Sequence, residues 1–248
     1  QITGINAVFF YAPIIFEQSG IGTNASFMQA VLVGLVNVAL TVVAMALIDR
    51  VGRRPLLGFG LTGIAVCMLT LAWGFGSATY GLDKAAADSL PAEIDRQQLA
   101  LVVDTTYDSD TEFREAMFGA IGEDSYKRFE SEIVSTAITM NPTLILLAIL
   151  GFVASFAVSI GPIMWVLFSE LFPNRVRGVA ISFVGLINSG VAFLVTFIFP
   201  WQLETLGNAG TFLIYGLFAV AGLAFVMRIL PETKGRSLEE LETILIKD

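Results

Sequence analysis

Charged residues along this chain are bunched, and long stretches between the bunches carry none. Gln18–Ile48, Pro55–Leu82, Ser135–Ser169, Gly178–Leu203 and Thr205–Met227 contain no Asp, Glu, Lys or Arg, and Ile2–Phe16 is a shorter sixth run. A helix that crosses the hydrocarbon of a bilayer needs roughly 20 mostly apolar residues. One charge near its middle costs about 2.5–3.5 kcal/mol on insertion scales. Five long runs without such a charge predict membrane-crossing helices rather than the core helices of a soluble protein. The sixth run predicts one more. The expected fold class is an all-α membrane protein with six transmembrane helices.

The stretch Thr79–Thr139 breaks the pattern. It holds thirteen acidic and five basic residues, while the remainder holds nine of each, so the whole net charge of −8 comes from here. Apolar residues recur at helical spacing in "PAEIDRQQLALVV" and "DSYKRFESEIV". Two or three short amphipathic helices outside the membrane are expected. The organisation predicted is three spans in 1–78, an acidic extracytoplasmic insert in 79–139, three spans in 140–230 and a tail in 231–248.

Composition agrees with the pattern. Charged residues make up 15% of the chain and the mean hydropathy is +0.76, against about 25% charged in soluble domains. A single cysteine, Cys67, excludes an intrachain disulfide. With no histidine, a soft-metal site is not expected either. The run "DTTYDSDTE" lacks the glycine and ligand order of an EF-hand loop and reads as a solvated acidic face. No metal and no cofactor are expected.

Outside the insert, the basic residues are Arg50, Arg53, Arg54, Arg175, Arg177, Arg228, Lys234, Arg236 and Lys247. All follow the second, fourth or sixth span. The positive-inside rule places those clusters, and the C-terminus, in the cytoplasm. Glu17, Glu204 and the insert then lie on the outer side. The chain starts at Gln1 inside an apolar segment, without the pattern of a signal peptide. It reads as a piece of a longer protein.

Two kinds of polar feature remain. Gln1, Asn6, Asn37 and Asn188 are uncharged amides within apolar spans. An amide offers one carbonyl acceptor and two donor hydrogens, which matches a hydroxyl-rich neutral solute. Amides also join helices to one another, at about 0.6 kcal/mol each. In "SIGPIMW", Pro162 removes a backbone donor and clashes with the carbonyl four residues back, and Gly161 permits close approach. A helix break is expected at Gly161–Pro162. The brackets "DRVGRRP" and "SELFPNRVRG" each place an acid, Asp49 or Glu170, just ahead of a pair of arginines. Charge-assisted pairing across helix ends is expected there.

"GINAVFFYAP", "DRVGRRP", "GPIMWVLFSELFPNRVRG" and "PETKGRSLEELE" together resemble the C-terminal half of a major facilitator superfamily sugar porter. That family includes proton–sugar symporters and facilitative glucose carriers. The resemblance implies a C-terminal six-helix bundle whose partner is a missing N-terminal half of the same protein. The insert lies outside it. It implies a sugar site formed by Gln1, Asn6, Phe10, Tyr11, Asn37, Gly161, Trp165 and Asn188. Phe10 and Tyr11 stand at a Tyr-Tyr pair that closes the extracellular side in the family, so Phe10 departs from the pattern. Asp49, Arg53, Arg54, Glu170 and Arg177, joined by Glu232, are implied as a cytoplasmic ion-pair network that holds the outward-open state. Breaks at Gly4 and at Gly161–Pro162 are implied gates. The implied function is transport of a neutral hexose or pentose across the plasma or bacterial inner membrane by alternating access, without enzymatic chemistry. Proton-coupled symport is the leading form. A uniporter and a non-transporting sugar sensor are the alternatives.

Overall fold

The computed structural model describes residues 1–19 and 23–235. Most of the expected tail 231–248 therefore lies outside the described residues. Four helical stretches are long and apolar enough to cross a bilayer: Phe27–Val51, Arg53–Gly76, Pro142–Leu171 and Arg177–Ile229. The elements carrying them are α2 (Thr23–Val51), α3 (Arg53–Gly76), the pair α9 (Pro142–Val158) and α10 (Ile160–Leu171), and α11 (Arg177–Ile229). Helix α11 turns at Gly207, whose backbone is non-helical, and so supplies two spans. Helix α1 (Ile5–Glu17) is the short remaining one.

The bundle has two ends. Residues 52, 172–176 and 230–235 gather at one, the arginine end. The α1 C-terminus, the turn at Gly207 and the insert gather at the other. Helix α3 lies along α11 and also against α9. Ile64, Met68 and Leu71 meet Ile145, Ile149 and Phe152 from α9 and Phe199 and Phe212 from α11, all fully buried. Lipid tails are as apolar as these side chains, so packing rather than transfer from water holds such helices together. Small residues allow the closest approach. A Cβ on Gly60 would lie 1.7 Å from Ser159 Oγ, and one on Gly63 would lie 2.2 Å from Ser155 Oγ. Val38, Val42, Val179, Phe183, Leu186 and Phe197 remain exposed on α2 and α11, as expected of surfaces facing lipid or another part of the protein.

Between α3 and α9 the chain folds into a small layer of its own. Strands β1 (Thr79–Gly81), β2 (Thr106–Tyr107) and β3 (Ile138–Thr139) form an antiparallel sheet in the order β2-β1-β3. Tyr80 stands opposite both Tyr107 and Ile138. Helices α4 (Lys84–Ser89), α5 (Arg96–Leu99), α6 (Asp110–Ile121), α7 (Glu123–Arg128) and α8 (Glu130–Ala137) fill the intervals. Tyr80, Phe113, Met117, Tyr126 and Ile133 form their buried centre. The all-α expectation is corrected here in one respect. The insert carries a sheet, and it has five short helices rather than two or three. Strands of two or three residues leave no alternation to read, and apart from α6 the helices run only four to eight residues, about one or two turns. Several of its acids cap these helices: Asp83 accepts from the Ala86 N–H and Asp95 from the Gln97 N–H.

The break predicted at Gly161–Pro162 falls at Ser159, where φ is −124° and ψ −92°. The reason lies in where proline strains a helix. Pro162 crowds the carbonyl four residues back, that of Val158, and Val158 is the last residue of α9. Pro162 is then the third residue of α10, within the turn whose N–H groups lack helical partners in any case.

The seat of that break on α3 is testable. Gly60→Val is expected to destabilise the full-length protein by about 1–3 kcal/mol, the usual cost of overpacking, whereas Gly119→Ala, which meets no neighbour within 4 Å inside α6, is expected not to destabilise it. Thermal unfolding in detergent measures both.

Candidate functional site

Three of the predicted amides form one chain. Asn6 Nδ2 donates to Gln1 Oε1 at 2.8 Å, and Gln1 Nε2 donates to Asn188 Oδ1 at 3.0 Å. Residues at the start of α1 are thereby tied to the middle of the first span of α11. Gly4 makes the entry angle. It takes a left-handed conformation, φ 86°, as the cap of α1, and a Cβ there would lie 2.5 Å from the Tyr215 ring.

Each amide has more hydrogen-bonding capacity than the chain uses. Asn6 Oδ1 and Asn188 Nδ2 have no hydrogen-bond partner among the described residues, and neither is counted among the buried atoms lacking one. Donors and acceptors therefore stay open beside each other with no charge nearby. Phe10, one helical turn beyond Asn6 on the same face of α1, is 71% exposed. That face is not covered by this bundle.

The other predicted contacts are placed differently. Tyr11 turns inward and lies 5.1 Å from the Phe199 ring, centroid to centroid, with Tyr215 stacked beyond it. Trp165 on α10 is half exposed and meets Phe168 edge to face at 5.9 Å. Asn37 is half-buried on α2, and its carbonyl accepts from Thr41. Gly161 faces Phe156, 3.2 Å from where its Cβ would be. None of Asn37, Gly161 or Trp165 is hydrogen-bonded to the amide chain among the described residues.

The arginine end holds a second cluster. Arg53 donates to Glu170 at 2.6 Å and lies 3.3 Å from Asp49, one turn back. Arg53 and Glu170 are well covered, with side chains 11% and 18% exposed, whereas Asp49 is open to solvent. Thr233 donates to the other oxygen of Glu170 at 2.7 Å. Glu232 acts on the backbone. Its two carboxylate oxygens accept from the N–H groups of Arg53 and Arg54, both at 3.0 Å, at the first turn of α3. Four N–H groups at a helix start have no helical acceptor, and a carboxylate there also meets the positive end of the helix dipole. Gly52 makes room for it: φ is 105°, and a Cβ would meet Glu232 Oε2 at 2.9 Å. Arg54 reaches the Met227 carbonyl at the end of α11.

Arg177 stands apart from the expected network. Its Nε donates to the Phe172 carbonyl at 3.1 Å, and it makes no ion pair among the described residues. It closes the bracket between α10 and α11, five residues from its acceptor. Thr233 is the threonine of "PETKG" itself, and it carries no signal of this role until Glu170 is seen next to it.

Six apolar spans, one of them broken at Ser159, with uncharged amides at depth and charges held at the ends, define a polytopic membrane carrier bundle. A profile described as "Sugar (and other) transporter" matches residues 1–89 and 129–245. The chain belongs to that family and is an integral membrane protein. The arabinose-proton symporter of Bacillus subtilis is 31% identical over 247 residues, covering 100% of this chain and 40% of the relative. The solute carrier family 2, facilitated glucose transporter member 10 of Danio rerio is 32% identical over 243 residues, covering 98% and 45%. Among solved structures, the major facilitator proton:xylose symporter XylE bound to 6-bromo-6-deoxy-D-glucose superposes with a TM-score of 0.67 at 28% identity, over 99% of this chain and 40% of that one. The chain thus spans less than half the length of these relatives and corresponds to the C-terminal six-helix half of the major facilitator fold.

Burial opposes ionisation of Glu232, but the N–H groups of Lys234, Arg53, Arg54 and Thr233 outweigh it and hold the carboxyl below the usual range. A depressed carboxyl stabilises the fold at pH values above its unfolded pKa and loses that contribution as pH falls through its folded one. Full-length Glu232→Gln is therefore expected to melt below wild type at neutral pH in detergent, with the two converging on acidification. A gap that does not narrow contradicts the cap.

Proposed function

We propose that the full-length protein carries a neutral monosaccharide across a cell membrane by alternating access. The observation that carries this reading is the Asn6–Gln1–Asn188 chain, with its open donors and acceptors and no charge beside them. A hydroxyl both donates and accepts, so a hexose or pentose satisfies such a surface without a counter-ion. Trp165, half exposed on the broken α9–α10 span, supplies an apolar face for the sugar ring. Phe10 and Tyr11 close the outer side above it. Asn37 and Gly161 complete the wall once the second half of the carrier is in place.

Six helices of this half rock against six of the other around the sugar. The Arg53–Glu170–Asp49 cluster, with Glu232 on the backbone of α3 and Arg177 on its bracket, is the latch that selects the outward-open state. Such pairs contribute more to the choice between states than to stability. The arginine end is cytoplasmic on this reading, and the insert is outside.

Symport with a proton is the form we favour, in line with the proton symporters among the relatives. The proton-carrying acid then lies outside these 248 residues, because the spans here are free of ionisable side chains other than Tyr215, Tyr11 and Cys67. That same feature, together with the likeness to a facilitated glucose transporter, favours uniport as the second reading.

Uptake of labelled pentoses and hexoses by proteoliposomes of the full-length protein, with and without a pH gradient, tests both. Saturable uptake is expected, accelerated by an inward proton gradient under symport and indifferent to it under uniport. Asn6→Ala is expected to raise the half-saturating concentration at least about fivefold, the worth of one hydrogen bond of about 1 kcal/mol, or to abolish uptake. Absence of any sugar uptake by the wild type overturns the proposal.

A further inference from the structure

The insert is fastened to the bundle at one point of particular construction. Helix α6 grips α11 on both sides of its turn at Gly207. Asp110 accepts from the Asn208 N–H at 2.9 Å and from its Nδ2 at 3.2 Å. One turn further along α6, Arg114 Nη1 donates to the carbonyls of Leu203 at 3.3 Å and Glu204 at 3.0 Å. A carboxylate thus sits on the start of one helical segment and a guanidinium on the end of the other, the signs that the two helix dipoles favour. Gly207 must be glycine for this: φ is 67°, and a Cβ would meet Asp110 Oδ1 at 2.4 Å. Arg114 and Asn208 are 9% and 2% exposed.

Beside this clasp lies a cavity of about 370 Å³. Its volume is at the lower end of the roughly 300–1,000 Å³ typical of small-molecule sites. The walls come from α1, α6, α7, α8 and α11, and the polar groups on them are Tyr11, Gln18, Arg114, Tyr126, Glu130 and Glu204, among others. Arg114 and Tyr126 fall in the stretch that the family profile does not match. Tyr11 is five residues beyond Asn6, about 7.5 Å along the helix toward the insert, and Gln18 is about 18 Å along. The cavity therefore sits in line with the amide chain, at the outer end of the same helix.

We infer that this cavity is a second binding site for a neutral polyol, which holds the sugar at the mouth of the carrier before it reaches the amides. The inference rests on the sugar-transport reading above. The lining chemistry favours a polyol over an ion. Glu130 and Glu204 accept, Arg114 donates, the phenols of Tyr11 and Tyr126 do both, and the Gln18 Oε1 is buried without a partner among the described residues. An anion would meet the carboxylates of Glu123, Glu130 and Glu204, which outnumber the lining cations Arg114 and Lys127. A metal cation would need a cluster of ligands, and among the described residues no three of His, Cys, Asp and Glu gather closely enough to hold one. Burial also pushes the Glu130 carboxyl up against the pull of Arg114, so it is a group that gains from a hydroxyl partner.

The experiment separates the two sites. Full-length Asn6→Ala protein in detergent is examined by saturation-transfer difference NMR with D-xylose and with D-glucose. A residual sugar signal is expected in this variant, and adding Gln18→Ala and Glu130→Ala is expected to weaken it further. In the otherwise wild-type protein, Gln18→Ala alone leaves the clasp intact. It is expected to raise the half-saturating external sugar concentration about fivefold. Wild-type binding with no residual signal in Asn6→Ala overturns the second site alone, as does a residual signal that the added substitutions leave unchanged. A wild type that neither binds nor takes up sugar overturns the transport reading and this site with it.

Discussion

A backbone N–H or C=O inside hydrocarbon has no water to turn to and must find its partner within the protein. This constraint explains where the charged side chains of the bundle sit. Among the described residues, those of the bundle and of the insert that make long-range contacts do so at a helix end of the bundle. Glu232 covers the start of α3, Asp110 the restart of α11 after Gly207, and Arg114 the carbonyls just before that turn. Arg54 and Arg177 reach the carbonyls of Met227 and Phe172. Glycines at 52 and 207 let a carboxylate come close enough to serve. The charges do not hold the helices together along their length. They complete the ends, and packing does the rest.

With charges confined to the ends, polarity within the spans is left to amides. Asn6, Gln1 and Asn188 bond one another and so cost little when no solute is present. The open atoms of the same three residues remain for a ligand. The amide chain links α1 to α11, and on the proposed function it is also the surface offered to a sugar. At the arginine end, Arg53 and Glu170 likewise join helices of two different brackets, α3 and α10.

Much of this was legible in the sequence, for reasons specific to membranes. A run without charge is a strong signal because a charge there is so costly, and Gly178–Leu203 and Thr205–Met227 stand out on that ground alone. Glu204 separates these two runs in the sequence, yet α11 stays helical through it and turns at Gly207. A single Glu at a helix end can remain in the helix when Arg114 takes its carbonyl. The break near Pro162 was legible in kind, and its position at Ser159 follows from the carbonyl that proline crowds. The insert was not legible in form. Its strands are too short to show alternation, and its attachment joins Asp110 to Asn208, residues nearly a hundred apart in sequence. The amides could be picked out because a polar residue in an apolar run is conspicuous, whereas the order in which they bond depends on how α1 meets α11.

The central claim is that uncharged amides at the junction of α1 and α11 recognise an uncharged, hydroxyl-rich solute. A structure of the full-length protein with bound sugar tests it most directly. Sugar hydroxyls within hydrogen-bond distance of Asn6, Gln1 and Asn188, with the ring against Trp165, are the predicted result. Those side chains turned toward lipid, or a sugar bound across the membrane interior without touching any of them, would contradict it.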